Sequence, residues 1–260
     1  MPGKTYANYI FDLYGTLIDI RTDEGRYELW QKMAEIYACY GAWYTADRLR
    51  ENYHRFCAEE EEKMRRENGV LYPEIMLDEV FVRLLAEADP APAKLPAEIP
   101  AWTFGIANTF RILSRDRFGV YPGVFDALNR LRSEGRKIFL LSNAQGIFTR
   151  TELAVTGLQD CFDDIWISSE IGIRKPQPEF LQSLLRVWDL DPDDTVLIGN
   201  DIGSDVRIAD LCGIDSVFLN TSGFSRGSVS GQMRASGIQR RDRVRILESG
   251  DLNGLFREVQ

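Results

Sequence analysis

The chain has 260 residues, 44% apolar and 27% charged, enough for a sizeable buried core, and 40 acidic against 31 basic residues give a formal charge of -9. A surface of that sign does not attract nucleic acid in general, and no apolar run reaches the length needed to span a bilayer. The single histidine, His54, excludes sites built from several imidazoles, while Cys39, Cys57, Cys161 and Cys212 form no CxxC unit and read as reduced thiols. Met1-Pro2-Gly3-Lys4-Thr5 lacks the apolar stretch of a secretion signal, so a cytoplasmic location is the expectation.

Tyr9-Ile10-Phe11 reads as a buried strand that runs into Asp12 and then Gly15-Thr16. From Thr22 to about Phe118 the pattern is helical. Asp23-Glu24 open a first helix that runs to Gly41, and Thr45 caps a second carrying Leu49, Tyr53, Phe56 and Cys57. The pairs Glu59/Lys63, Glu61/Arg65 and Glu62/Arg66 read as a solvated face. Pro73 opens a third helix with an apolar stripe of Met76, Leu77, Val80, Phe81, Leu84 and Leu85. A proline-broken linker follows, then a fourth helix from about Trp102 to Arg117. These stripes need one another for burial, which predicts a small helical domain inserted after the first strand.

From Pro122 the rhythm alternates. Helices marked by Val124, Leu128 and Leu131, by Ile147 to Val155, by Phe180 to Trp188 and by Val206 to Leu211 separate strands at Lys137–Leu141, Asp164–Ile167, Thr195–Ile198 and Ser216–Leu219. Thr221 to Gly237, rich in Ser and Gly, reads as a long loop. Arg243–Leu247 reads as an edge strand, and Leu252, Leu255 and Phe256 as a last short helix. The expected fold is α/β: a Rossmann-like, mainly parallel sheet with helices on both faces, formed by residues 1–18 and 119–260, plus an all-helical cap over 19–118.

Polar residues at the strand ends carry the chemistry. Asp12 is the best nucleophile candidate, since a carboxylate at the carboxyl end of a buried strand sits where open α/β sheets place ligands. Ser142-Asn143 end another strand with a hydroxyl and an amide able to donate to an oxyanion. Pro176, read as a first-turn residue, would orient Lys175, and Asp201 with Asp205 forms a second acidic strand end. With Asp12 these carboxylates would make a hard oxygen site suited to Mg2+. Each stretch alone also fits an ordinary turn or helix cap. Thr22, Asp23, Arg26 and Tyr27 lie where the insert begins and are candidates to face a cleft; Arg26 could contact a carboxylate or distal phosphate, but a solvated helix arginine is the favoured reading.

Together, Phe11-Asp12-Leu13-Tyr14-Gly15-Thr16-Leu17, Leu141-Ser142-Asn143, Lys175-Pro176 and Gly199-Asn200-Asp201 through Asp205 resemble the haloacid dehalogenase-like hydrolase superfamily over almost the whole chain. The resemblance implies a mobile helical cap, Asp12 as nucleophile within the motif that includes Thr16, and Ser142, Asn143 and Lys175 around the transferred group. It also implies Mg2+ held by Asp12, the main-chain carbonyl of Tyr14, and Asp201 or Asp205. Phosphatases of the superfamily carry a second Asp two positions after the nucleophile; here Tyr14 stands there, and a phenol is a poor base near neutrality. The Asp-x-Tyr-Gly-Thr pattern is similar to that of metal-independent 2-haloacid dehalogenases, but the Tyr usual six residues after their motif lysine is Leu181. At the fourth motif either Asn200 or Asp201 aligns with the usual first Asp; Asp201 keeps two charged ligands, and Asn200 offers an amide oxygen. The leading expectation is a Mg2+-dependent hydrolase of a small phosphorylated, anionic metabolite, monomeric or a weak homodimer. The alternatives are a 2-haloacid dehalogenase, a carbon–phosphorus hydrolase and a non-catalytic metal- or ligand-binding module.

Overall fold

A computed structural model describes residues 4–256. Strand β1 (Asn8–Phe11) is one of the two central strands of the main sheet, and it is followed by β2 (Ile18–Thr22). Helices α1 (Tyr27–Cys39), α2 (Ala46–Asn68), α3 (Leu77–Ala86) and α4 (Ile99–Ser114) form the insert, which β3 (Arg115–Val120) closes. The alternating part comprises α5 (Val124–Ser133), β4 (Lys137–Ser142), α6 (Gly146–Thr156), β5 (Asp164–Ile167), α7 (Ser168–Ile171), α8 (Pro178–Val187), β6 (Thr195–Gly199), α9 (Arg207–Cys212), β7 (Asp215–Leu219), α10 (Arg226–Ala235) and β8 (Val244–Leu247). A single wide turn over Ile202–Val206 joins β6 to α9.

Six strands pair in the order β5-β4-β1-β6-β7-β8, all parallel. Alternate residues feed opposite faces, as the two-residue period of a strand requires. Tyr9, Phe11, Leu140 and Ile198 pack with Val124, Leu128 and Leu131 of α5 and Leu153 of α6. Ile10, Phe139, Leu141 and Leu197 pack with Phe180, Leu181 and Leu184 of α8 and Ile208 of α9. Leu181 is therefore core on the far face of the sheet. The insert has a separate aromatic core in which Trp30, Tyr53, Phe81 and Phe110 meet at ring-centroid distances of 5.1–6.1 Å.

Several sequence expectations need correcting. β2 and β3 form an antiparallel ribbon, so the segment expected to be wholly helical begins and ends in strand. The fourth helix stops at Ser114 and does not reach Arg117. The expected boundaries, 18 and 119, lie on this ribbon, where Ile18 pairs with Val120 and Asp19 with Gly119. Exposed ion pairs, Arg21–Asp116 at 2.8 Å and Arg117–Asp19 at 3.1 Å, line the outer face of the ribbon, while Ile18, Ile20, Phe118 and Val120 pack toward the core. Helix α1 starts at Tyr27 because Asp23 Oδ1 accepts from the Gly25 N–H and forms a turn there. Thr45 does cap α2, accepting from the Arg48 N–H at 3.2 Å. Glu59 bonds Arg55 and Arg83 rather than Lys63. Pro73 opens no helix: it is extended and bridged to Ile173, while α3 starts at Leu77 and leaves Met76 exposed. The stretch expected as a long loop contains α10, capped by Ser225 and anchored through buried Val229 and Met233.

The insert also docks on the strand ends at its far side. The Glu74 N–H donates to Gly172 O and the Arg174 N–H to Tyr72 O, at 3.1 and 3.0 Å. Gln145 receives the Leu77 N–H and donates to Ile75 O and Glu74 Oε1. Ser168 Oγ donates to Glu74 Oε2. The insert therefore lies over the carboxyl ends of β4 and β5. No helix among the described residues is long and apolar enough to cross a membrane.

Candidate active site

Residues that follow successive parallel strands meet at one end of the sheet, the position where this architecture binds ligands. β1 is flanked by β4 and β6, with Phe11 opposite Leu140 and Ile198, so the residues just beyond these strands are neighbours. The Asp12 N–H continues the ladder to Ile198 O at 2.9 Å, which fixes the start of the turn. Asp12 is 7% exposed. Its Oδ1 accepts from Lys175 Nζ at 2.7 Å and its Oδ2 from Thr16 Oγ1 at 3.1 Å.

Lys175 is buried, and its ammonium hydrogen-bonds two oxygens and ion-pairs with a third. Nζ reaches Asp12 Oδ1, Leu141 O and Asp205 Oδ1, each at 2.7 Å. Burial by itself would lower the lysine pKa, but Asp12 and then Asp205 carry it above its ordinary value, so the ammonium stays charged. Asp205 is 1% exposed, and burial pushes its carboxyl up to about 7 against the pull of Lys175. Its Oδ2 accepts the Asp201 N–H at 3.0 Å. A Cβ on Gly199 would lie 2.2 Å from that oxygen, so only glycine leaves room for Asp205 against the strand end. The lysine is held from a loop, not from a helix start: α8 begins at Pro178, so Pro176 is not the first-turn residue expected.

Asn143 staples this loop in place. Its Nδ2 donates to Lys175 O and its Oδ1 accepts the Lys175 N–H, at 2.9 and 2.8 Å. The amide expected to donate to substrate thus orients the lysine with its oxygen and one of its two Nδ2 protons. Ser142 is fully buried, and its Oγ bonds no protein group, which leaves a hydroxyl available beside Asp12 and Lys175.

At the fourth motif Asn200 and Asp201 part company. Asn200 Oδ1 accepts from Thr16 Oγ1 at 3.2 Å, and the side chain covers Gly15, whose φ of 81° and missing Cβ permit that approach. Asp201 is exposed, and its Oδ1 caps the following turn at the N–H groups of Gly203 and Ser204, at 2.6 and 3.0 Å. The expected carboxylate trio therefore does not converge. Asp12 and Asp205 share Lys175 while Asp201 serves as a cap, and no group of three His, Cys, Asp or Glu side chains able to hold a metal occurs among the described residues. The oxygens nearest Asp12 still suit a hard cation. Asp12 Oδ2 and Asn200 Oδ1 both lie within hydrogen-bond reach of one Thr16 hydroxyl, and Mg2+ needs few protein ligands when water and substrate oxygens complete its shell.

Tyr14 points the other way. Its hydroxyl donates to Glu152 and pairs with Thr149 Oγ1 at 3.0 Å. Burial, then the Glu152 charge, holds the phenol well above its ordinary pKa, so it stays un-ionised. Glu152 is 3% exposed and also receives Arg111 Nε at 2.8 Å, Arg111 Nη2 at 3.2 Å and Arg115 Nη1 at 2.9 Å. A cavity of about 340 Å³ opens between Tyr14 and Asn143 on one side and Glu24, Glu74, Arg111 and Phe148 on the other. Arg26 lies elsewhere, tying Leu113 O and Ser114 O, and Tyr27 is exposed. Sequence reasoning missed Glu152, Thr149 and Arg111, whose one signal is an acidic side chain next to Leu153 on the face of α6 that enters the core.

Comparison with known proteins places this arrangement. Residues 6–213 match the family model described as haloacid dehalogenase-like hydrolase. Among curated proteins, phosphoserine phosphatase of Thermus thermophilus is 30% identical over 143 residues, 55% of this chain and 54% of that protein. Glyceraldehyde 3-phosphate phosphatase of Methanopyrus kandleri is 28% identical over 130 residues, 50% of this chain and 52% of that protein. The chain thus spans about half the length of these curated relatives. A solved 2-haloacid dehalogenase from Pseudomonas syringae pv. Tomato DC3000 superposes with a TM-score of 0.63 at 17% identity, covering 96% of each chain. An L-2-haloacid dehalogenase from Xanthobacter autotrophicus gives 0.53 at 20% identity, over 98% of this chain and 100% of that one. At these identities the structural matches speak for the fold.

Proposed function

The chain belongs to the haloacid dehalogenase-like hydrolases, and we propose that it hydrolyses a small phosphorylated metabolite through an aspartyl-phosphate on Asp12, choosing substrates whose leaving group departs without a proton. The observation that carries this reading is the contrast across Leu13. Asp12 is ion-paired to Lys175 at the strand end, whereas the proton of Tyr14 is committed to Glu152. The phosphatase names of the curated relatives support the substrate class.

In this mechanism an Asp12 carboxylate oxygen attacks phosphorus and the bond to the leaving oxygen breaks, the electron pair leaving with that oxygen. Lys175, already charged, balances the transferred phosphoryl oxygens, and the Ser142 hydroxyl donates to one of them. Water then attacks phosphorus, releasing phosphate and restoring Asp12. Asp12 and Asn200, with the Tyr14 main-chain carbonyl, would hold Mg2+, which supplies charge neutralisation at the phosphoryl oxygens when bound. Asp205 keeps Lys175 in place, and the insert excludes bulk water from above.

A general acid is worth about 100- to 10,000-fold, so acetyl phosphate should be turned over at least about 100-fold faster than glycerol phosphate. Tyr14→Asp should narrow that gap, as steady-state kinetics on both substrates would show. A second reading, 2-haloacid dehalogenation, is favoured by the same neutral pair, Tyr14 and Asn200, since halide needs neither a proton nor a metal. Single turnover in 18O-labelled water separates the two. The phosphatase reading requires label in released phosphate; label in Asp12 with release of halide from 2-chloropropionate would replace it.

The metal assignment has its own measurement. By titration calorimetry, Asp201→Asn should leave Mg2+ affinity unchanged, Asn200→Ala should weaken it about tenfold, and Asn200→Asp should tighten it, one decade being about 1.4 kcal/mol. A loss in Asp201→Asn equal to that in Asn200→Ala would return the ligand role to Asp201.

A further inference from the structure

We infer that Glu152 is a positioning residue that ties the insert to the catalytic loop, so that one buried carboxylate sets both the seating of the last insert helix and the direction of Tyr14. The inference rests on the reading of the Asp12 loop as the reacting site. Glu152 sits on core helix α6 and collects groups from three other segments: Arg111 from the last turn of α4, Arg115 from the start of β3, and the Tyr14 hydroxyl from the loop that follows Asp12. Arg111 also stands over two rings, 5.0 Å from the Tyr14 centroid and 5.3 Å from Phe148. Asn108, one turn earlier on α4, donates to Ile147 O at 3.1 Å and adds a neutral contact along the same seam.

The electrostatics make Glu152 the keystone of this seam. Two guanidinium groups, with side chains only 13% and 22% exposed, converge on one carboxylate. Without it, Arg111 and Arg115 would lose the carboxylate they both pair with, Arg111 keeping only the more distant charge of Glu24, and removing one partner of a buried pair is costly. The seam runs along the end of the insert where the chain leaves and re-enters the core, at the edge of the cavity that Tyr14, Arg111, Phe148 and Thr149 help to line. Closure of that cavity and alignment of Tyr14 therefore depend on the same bonds. Glu152 touches no reacting atom, so its effect on rate passes through Tyr14 and Arg111.

The test is a mutant cycle read by kinetics and by hydrogen exchange. With acetyl phosphate, Glu152→Gln should lower kcat/KM by about 100-fold, the scale set by a misplacement of about 1 Å. The combination with Arg111→Ala should be no worse than the more damaging single change, and Glu152→Asp should recover part of kcat. Wild-type kinetics in Glu152→Gln, or losses that simply multiply in the double variant, would overturn the inference. Leu184→Ala serves as the stability control: it should lower the melting temperature while leaving kcat unchanged. Hydrogen exchange needs no turnover and so stands even if the proposed substrate class fails. Amides of Arg115–Val120 and of the last turn of α4 should exchange about tenfold faster in Glu152→Gln, with those of β1 and β4 unchanged. Unchanged exchange in the ribbon would overturn the inference regardless of the reaction catalysed. Should Glu152→Gln fail to fold, Arg111→Lys, which keeps the charge and removes the two-pronged contact, carries both measurements.

Discussion

Asp12→Asn is expected to abolish turnover, by at least about four orders of magnitude, while leaving the protein folded. The amide keeps the size of the carboxylate and can still accept from Thr16, so the turn between β1 and β2 survives. It has no anionic oxygen to attack with, and it loses the ion pair to Lys175. Mass spectrometry of quenched single turnovers should find a covalent adduct on the Asp12 peptide of the native protein and none in the variant. Asp12→Ala gives the stricter version, because alanine offers no oxygen at all. Full activity in Asp12→Ala would remove the shared nucleophile from both the phosphatase and the dehalogenase readings.

Lys175→Met should cost stability as well as rate. Among the described residues the ammonium is the one cation paired with Asp12 and Asp205, and without it the two carboxylates are left together with almost no access to water. Breaking a buried ion pair by removing one partner costs about 3–5 kcal/mol, which urea unfolding would read directly. The pH dependence has a definite sign. Burial raises the folded-state pKa of Asp205, to about 7 in the native protein, above its unfolded value. The folded state therefore holds the proton more tightly, and stability falls as pH rises from the ordinary carboxylate range through the folded pKa. Lys175 opposes that rise in the native protein, so the deficit of the variant should be larger at pH 8 than at pH 5. A deficit that is constant across this range, or smaller at pH 8, would mean that Asp205 does not carry the uncompensated charge.

The core was legible because each of its strands is a short apolar run that stops at a chemically informative residue. Phe11 gives way to Asp12, Leu141 to Ser142, and Ile198 to Gly199-Asn200, and the sheet order makes these endings neighbours. The ribbon was not legible, because Arg115-Asp116-Arg117 carries three charges and its partner strand, Asp19 to Thr22, is mostly polar. Such a pair is held by its ladder and by cross-strand ions, and its core-facing side chains, Ile18, Ile20, Phe118 and Val120, are too few among the charges to announce a strand beside a long helical pattern. Helix α10 hid behind two serines and two glycines between Arg226 and Ala235, residues of low helix propensity; a Ser225 cap and two buried side chains, Val229 and Met233, suffice to hold it.

Within the site, Asp12 and Lys175 stand out from their positions beyond the strand ends, and the structure brings them together. Which way Asn200 and Asp201 face was not legible, since adjacent residues after a strand differ only in the turn they enter. The turn over Ile202–Val206 takes Asp201 as its cap. Glu152 lay furthest from view. Its partners come from sequence separations of 37, 41 and 138 residues, and no local pattern announces a contact of that kind.

The ribbon of β2 and β3 has a bearing on how such a protein is assembled from parts. Both passages of the chain between the sheet and the helical insert run side by side, with Thr22 beside Arg115 in the ladder. No strand of the six-stranded sheet comes from between them. To the rest of the molecule the insert is thus a long excursion whose two ends are already joined. Exchanging it for a shorter or longer one would change the loop-closure entropy only logarithmically and would leave the sheet's pairing untouched. Recombination at this ribbon can therefore supply a new roof to the same set of strand-end residues, so that the selectivity of the pocket and the chemistry beneath it are inherited separately.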